Sequence, residues 1–184
     1  LNRPVKFLYE REEVFIATRQ RHPMYITVKT GVKNDGTILA QKFKAHADGG
    51  AYNSTAPTMI ALSCFFLMIP YHVPNLIYEG YHVYTNKPVG GAMRGHGIPQ
   101  ARFAVERQLD MIADRIHVDP VEIRVKNSIQ AGEPHAAGFV INTCGFSDSV
   151  KKAADASGWT EKRGKLPPGR GVGLAGASFP SGVS

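Results

Sequence analysis

The apolar residues of this chain change period once, near Pro99, and that change constrains the fold more than any other feature. Before it, short alternating runs read as strands. Tyr25-Ile26-Thr27-Val28-Lys29-Thr30-Gly31-Val32 leads into Asn34-Asp35-Gly36, and Ile38-Leu39-Ala40-Gln41-Lys42-Phe43 leads away. Asp-Gly between two such runs signals a hairpin, because glycine tolerates the positive φ of a tight turn. After Pro99, Val105, Leu109, Ile112 and Ile116 follow helical spacing and form an apolar stripe that docks on a core. Strands first and helices after them predict an α+β fold, an antiparallel hairpin sheet followed by packed helices.

Smaller signals fill in the rest. Val5 to Tyr9 alternates like a strand, and Glu10 to Glu13 reads as a charged turn, with Glu12 and Glu13 a turn-stabilising cluster rather than a catalytic pair. Asp48-Gly49-Gly50-Ala51-Tyr52 reads as a turn or a site of close backbone approach. Thr55 to Met68 reads as a buried helix ended by Pro70, and Asn75 to Thr85 as a further strand. Arg102 and Glu106 form an i,i+4 opposite-charge pair, expected on the outer helix face. Asp119-Pro120-Val121-Glu122 has a capping residue followed by Pro at the first helical position, so a helix starts there. Phe146 to Ser157 is a further helix, with Ser147 as its expected cap and Gly158 as its stop. Trp159 is expected to be a packing residue. Gly164 to Gly173 reads as a linker, and Val172 to Phe179 as the opening of a new strand.

Composition narrows the function classes. The 184 residues leave room for one ordinary domain, and no apolar run reaches the roughly 20 residues that span a bilayer. The two cysteines, Cys64 and Cys144, are too few for an iron–sulfur cluster or a structural zinc site. Read as buried thiols, they imply a reducing compartment, and with no targeting pattern the expected location is cytoplasmic. His22, His46, His72, His82, His117 and His135 lack metal-ligand spacing, so no metal site is expected from them. The net charge of +7 is spread along the chain without the motifs of a nucleic-acid binder, so neither nucleic acid nor membrane is the expected partner.

One segment carries chemistry on pattern alone. Gly90-Gly91-Ala92-Met93-Arg94-Gly95-His96-Gly97 runs directly into a helix with an early proline. Small residues let backbone N–H groups approach a ligand, a helix start offers free donors and a positive dipole end, and Arg94 can present a planar fork to a phosphate or carboxylate. The segment lacks the Lys-Ser/Thr ending of a nucleotide P-loop. It reads equally well as a tight strand-to-helix connection whose arginine pairs with a nearby acid.

Gly91-Ala92-Met93-Arg94-Gly95-His96-Gly97-Ile98-Pro99-Gln100, continued by Arg102-Phe103 and Glu106, closely resembles the Ala-x-Arg-Gly-x-Gly-x-Pro-Gln segment of the molybdenum-binding subunits of the xanthine dehydrogenase/aldehyde oxidase family. The resemblance continues in order through Arg3-Pro4-Val5-Lys6, Arg21-His22-Pro23, the hairpin, Asp48 to Tyr52, and Asp119-Pro120 to Lys126-Asn127. It implies residues 1–184 as an internal segment of a molybdopterin-binding domain, since both ends read as cut. Residues 1–86 are mainly strands with one helix, 87–97 the cofactor loop, 98–160 mainly helices, and 161–184 a linker and the start of the next strand.

The resemblance also implies a site. Arg94, Gly95 and the backbone of Ala92 and Met93 would contact a molybdenum pyranopterin, as molybdopterin or its cytosine dinucleotide form, with Met93 bordering the metal. His96 falls where purine-oxidising relatives place an aromatic residue that stacks on substrate, and Asn53 near where they place a substrate-binding arginine. Both departures argue against purine oxidation. Each residue also has a plainer reading, His96 as a histidine bonded to loop backbone and Asn53 as a turn residue. Arg94-Gly95-His96-Gly97 is reminiscent of the 4-hydroxybenzoyl-CoA reductase branch, and the lack of a loop cysteine argues against the copper-containing carbon-monoxide-oxidising branch. No catalytic residue and no metal ligand is expected within this segment, because the family's glutamate base would lie beyond Ser184. The implied partners are the remainder of the molybdenum subunit, iron–sulfur and FAD-bearing domains or subunits, a small-molecule substrate, and an oligomeric assembly. The implied reaction is oxidation, or reductive dehydroxylation, of an aromatic, heteroaromatic or aldehyde substrate, with the isolated segment inactive. The alternative on charge alone is a non-redox module for a phosphorylated ligand or nucleic acid.

Overall fold

A computed structural model of the chain describes residues 2–67, 69–136 and 138–178. The hairpin forms where the Asp-Gly signal places it. β2 (Met24–Val32) and β3 (Ile38–Gly50) pair antiparallel, with Met24 opposite Ala47 and Gly31 opposite Ala40. Gly36 takes φ +86° in the connecting turn, where Asp35 Oδ1 accepts the Thr37 N–H at 3.0 Å. Burial alternates from Gln41 to Ala47 of β3, with Gln41, Phe43, Ala45 and Ala47 inward; Ile38, three residues before Gln41, is also buried, across the register shift at Gly31 and Val32.

The third strand of this sheet, β4 (Leu76–Tyr84), joins β3 in parallel, giving the order β2-β3-β4. Parallel neighbours need a crossover, and α2 (Ala56–Phe65) lies in it. Ser63 of α2 and Tyr78 of β4 bring their hydroxyls to 2.6 Å, and Tyr78 stacks on Phe43 at 5.3 Å. The sheet is therefore a hairpin plus a parallel strand, a pairing the alternating sequence pattern leaves open.

α3 (Ile98–Ile116) packs on the same face. Gln108 donates to Val28 O at 2.8 Å and accepts from the Thr30 hydroxyl at 2.6 Å, which pins the helix to β2. α4 (Pro120–Lys126) starts as expected, with Asp119 Oδ1 accepting the Val121 N–H at 2.7 Å. α5 (Phe146–Ser157) and the single turn α6 (Trp159–Lys162) follow, and Trp159 is buried with its Nε1–H on Asp119 Oδ2 at 3.0 Å.

Several expectations need correction. Val5 to Tyr9 forms no strand; Val5, Phe7, Leu8 and Tyr9 are exposed, so no partner pulls the alternating run into a ladder. The charged turn is instead a helix, α1 (Arg11–Ala17), opened by a capping box in which Glu13 accepts the Glu10 N–H at 2.8 Å. Asp48 to Gly50 completes β3 before the chain turns at Ala51, and the close backbone approach expected there is present, since a Cβ at Gly50 would lie 2.2 Å from Pro88 O. α2 stops at Phe65, and Met68 lies outside the described residues. Gly145, not Ser147, holds the N-cap position of α5; Ser147 lies inside the helix. Residues 172–178 form no strand, and Phe179 lies outside the described residues.

The largest correction concerns Arg102 and Glu106. Both are 5% exposed, so neither lies on the outer face. Arg102 donates to Phe66 O at 3.2 Å. Glu106 accepts from the Tyr71 hydroxyl at 2.7 Å, Arg124 Nε at 2.8 Å and the Gly176 N–H at 2.7 Å. Arg124, fully buried, also reaches Asp110 at 2.9 Å. A carboxylate thus ties α3 to α4, to Tyr71 and to the stretch at Gly176, and holds the helix that carries the glycine-rich loop.

Candidate functional site: the loop at the start of the long helix

The loop begins at β5 (Gly90–Gly91), which pairs in parallel with β1 (Gln20–Arg21). It then makes two overlapping turns. The His96 N–H donates to Met93 O at 2.7 Å, and the Ile98 N–H donates to Gly95 O at 2.9 Å. Gly95, His96 and Gly97 all take positive φ, at +90°, +40° and +93°. At Gly97 the requirement is double, since a Cβ would also sit 2.5 Å from Met59 O of α2. His96 holds a left-handed conformation without that freedom, at a cost of about 1–2 kcal/mol.

This backbone path turns Ala92, Met93 and Arg94 outward, and all three are exposed. The Arg94 carbonyl accepts from Arg21 Nη2 at 2.9 Å. Its guanidinium makes no hydrogen bond or ion pair among the described residues, so the structure does not support the reading in which it pairs with a nearby acid. The helix end offers fewer donors than expected. Ile98 already donates to Gly95 O, and Pro99 has no N–H.

His96 is half-buried, and its Nε2 is enclosed without a hydrogen-bond partner, so its ring is not bonded to loop backbone through that nitrogen. His22 and His82 lie nearby. His22 is 1% exposed, and burial first, then the charge of neighbouring His82, push its imidazole below the ordinary value, which keeps it neutral at pH 7. No group of three potential metal ligands occurs among the described residues. Asn53 is exposed in the turn before α2, where its carbonyl accepts the Ala56 N–H at 3.0 Å. Its segment runs beside the approach to the loop, with the Ala51 N–H on Lys87 O at 3.1 Å, but the Asn53 side chain makes no hydrogen bond to the loop.

Asp48, at the end of β3, ties down that approach. It accepts from Lys87 Nζ at 2.6 Å, the Thr85 hydroxyl at 2.6 Å and the Gly50 N–H at 3.1 Å. Lys87, then Thr85 and the Gly50 amide, hold its carboxyl down at about 2. Nothing local in the sequence marks Asp48 or Arg21 for these roles, because their partners lie 39 and 73 residues away in the chain.

The exposed Arg94 and its glycine-rich turn thus sit at the start of the long helix. Residues 1–128 match the family model described as the molybdopterin cofactor-binding domain, and the chain belongs to that family. It is 38% identical over 154 residues to the nicotinate dehydrogenase large molybdopterin subunit of Eubacterium barkeri, covering 83% of this chain and 36% of that one. It is 35% identical over 184 residues to a putative xanthine dehydrogenase molybdenum-binding subunit of Escherichia coli K12, covering 97% and 24%. Among solved structures, aldehyde oxidoreductase from Desulfovibrio gigas matches with a TM-score of 0.74 at 29% identity, over 85% of this chain and 18% of that one. The chain thus spans little more than a third, at most, of these relatives. No helix of the described residues is long and apolar enough to cross a membrane.

Proposed function

We propose that the loop at residues 90–97 grips the pyranopterin cofactor of a molybdenum hydroxylase or dehydrogenase acting on a heteroaromatic or aldehyde substrate. One observation carries this reading: Arg94 projects from a glycine-permitted turn with no counter-ion among the described residues. The residues present fit an anionic, hydrogen-bonding group. Ala92 and Met93 are exposed, Gly95 permits the turn at φ +90°, and among the described residues no carboxylate pairs with Arg94 to compete.

When bound, the cofactor supplies the two-electron redox chemistry at molybdenum. The chain's own residues bind and orient. Arg94 neutralises and fixes the anionic pterin, Met93 walls the metal side, and His96 and Asn53 face the substrate. His96, held in a left-handed conformation beside Arg94, is read as a selectivity residue. The names of two relatives, which specify nicotinate and aldehydes, favour electron-poor heteroaromatic or aldehyde carbons. The remaining subunit, iron–sulfur and flavin partners and an oligomeric assembly complete the enzyme. The free thiols Cys64 and Cys144 favour a cytoplasmic setting.

The test is Arg94→Gln in the full-length enzyme. A charge-assisted hydrogen bond contributes roughly 1.5–3 kcal/mol, so retained pterin and molybdenum per subunit should become roughly ten- to hundredfold easier to lose on dialysis. Unchanged pterin and metal content would contradict the reading.

A further inference from the structure

From the contacts of β1 we infer that Arg21 is a positioning residue for the cofactor loop, clasping it so that Arg94 faces outward while its carbonyl is held by a cation rather than left facing a bound anion. This rests on the reading of the loop given above. The clasp has three points of attachment. At the start of the loop, Gln20 and Arg21 pair with Gly90 and Gly91. In the middle, Arg21 Nη2 donates to the Arg94 carbonyl at 2.9 Å. At the end, Arg21 Nη1 donates to Gln100 Oε1 at 3.4 Å, and Gln100 Nε2 returns a bond to His22 O at 3.2 Å. One guanidinium therefore spans from the loop's centre to the first turn of α3.

The packing beneath supports that placement. The Arg19 stem crosses Gly91 so closely that a Cβ there would meet its Cδ at 2.2 Å. A Cβ at Gly90 would meet the His22 ring at 2.6 Å. Residues 19–22 are thus seated on the loop rather than passing near it.

The electrostatic consequence follows from the donor's identity. An amide carbonyl at position 94 would present a negative dipole end beside the anion that Arg94 is to hold. Arg21 occupies that oxygen and adds a positive charge, so the carbonyl is directed to a cation while the Arg94 side chain stays free. Lysine can bond the same carbonyl as a point charge, but it cannot form the planar fork that also reaches Gln100.

The experiment compares the purified full-length holoenzyme with its Arg21→Gln, Arg21→Lys, Arg94→Gln and Arg21→Gln/Arg94→Gln variants. Pterin retained after dialysis is released and measured by fluorescence, with thermal midpoints recorded in parallel. The expected result is a roughly three- to tenfold faster pterin loss in Arg21→Gln, at least half restored in Arg21→Lys, with unchanged thermal midpoints. The double variant should lose pterin faster than Arg94→Gln alone, because Arg21 bonds the main-chain carbonyl of residue 94, which Arg94→Gln leaves in place; no further loss would overturn the clasp. Loss in Arg94→Gln with none in Arg21→Gln overturns the clasp and leaves the cofactor reading standing. Equal loss in Arg21→Gln and Arg21→Lys with a lowered midpoint overturns it as well, showing a merely structural residue. No loss in Arg94→Gln overturns the cofactor reading itself, and the clasp with it.

Discussion

Glu106 is the residue on which the placement of α3 depends most. It sits between Tyr71, Arg124 and the Gly176 amide at 2.7–2.8 Å, and burial together with its charge pushes the Tyr71 hydroxyl far above the ordinary phenol value. Glu106→Gln would leave the fully buried Arg124 short of its shorter carboxylate contact, and unpairing a buried charge costs about 3–5 kcal/mol. Asp110 stays in reach of Arg124, so the expected loss is toward the lower figure, read as a shift in denaturant midpoint; a change under about 1 kcal/mol would contradict it. Asp48 makes a separate, pH-dependent prediction. Its carboxyl lies at about 2 when folded against an ordinary 3.8, so its contribution is present above about pH 4 and is lost as pH falls through 2. The midpoint difference between the parent and Asp48→Asn should therefore shrink between pH 6 and pH 2.5, and a constant difference would refute that linkage. Neither network is legible in the sequence. The Arg102/Glu106 spacing is satisfied equally by a surface pair and by two buried residues with different partners, and Arg124 and Tyr71, which decide between the two, are distant in the chain.

At the scale of elements, what periodicity and local chemistry specify is legible: the β2–β3 hairpin with Gly36 in its turn, and α4 behind its Asp119 cap. For α3 the helix is legible but only part of its buried face. Val105 and Leu109 are in the core, while Ile112 is only partly buried and the deeper stripe runs through Ala101, Arg102, Glu106 and Ala113. Elements that exist only through a distant partner are not legible. β1 and β5 are two residues each and form only against one another, and β4 shows its pattern but not its parallel direction. The loop at residues 90–97 is legible as a tight glycine-rich connection into α3, but not its tie to Arg21. Asp119 serves two elements, capping α4 and accepting from Trp159. Asp119→Ala should cost about 1–2 kcal/mol in thermal or denaturant unfolding, with Trp159 fluorescence altered. Loss of neither stability nor signal would show the cap to be idle.

The molecule as a whole exposes more apolar surface than its sheet and helices require. Leu8 is 80% and Ile16 85% exposed, and Val5, Phe7 and Phe15 stand out beside them, while α1 buries none of its own residues. With this chain read as part of a longer molybdenum enzyme, amides of residues 5–16 should exchange slowly in the holoenzyme because its other parts cover them; fast exchange there would contradict that reading. The central claim, that Arg94 reaches from its glycine-rich turn to an anionic pterin, is tested most directly by a structure of the intact holoenzyme. There the Arg94 guanidinium should lie within hydrogen-bond distance of the cofactor, with the Arg94 carbonyl still bonded to Arg21. A guanidinium turned away, with no pterin in reach of residues 92–95, would contradict it.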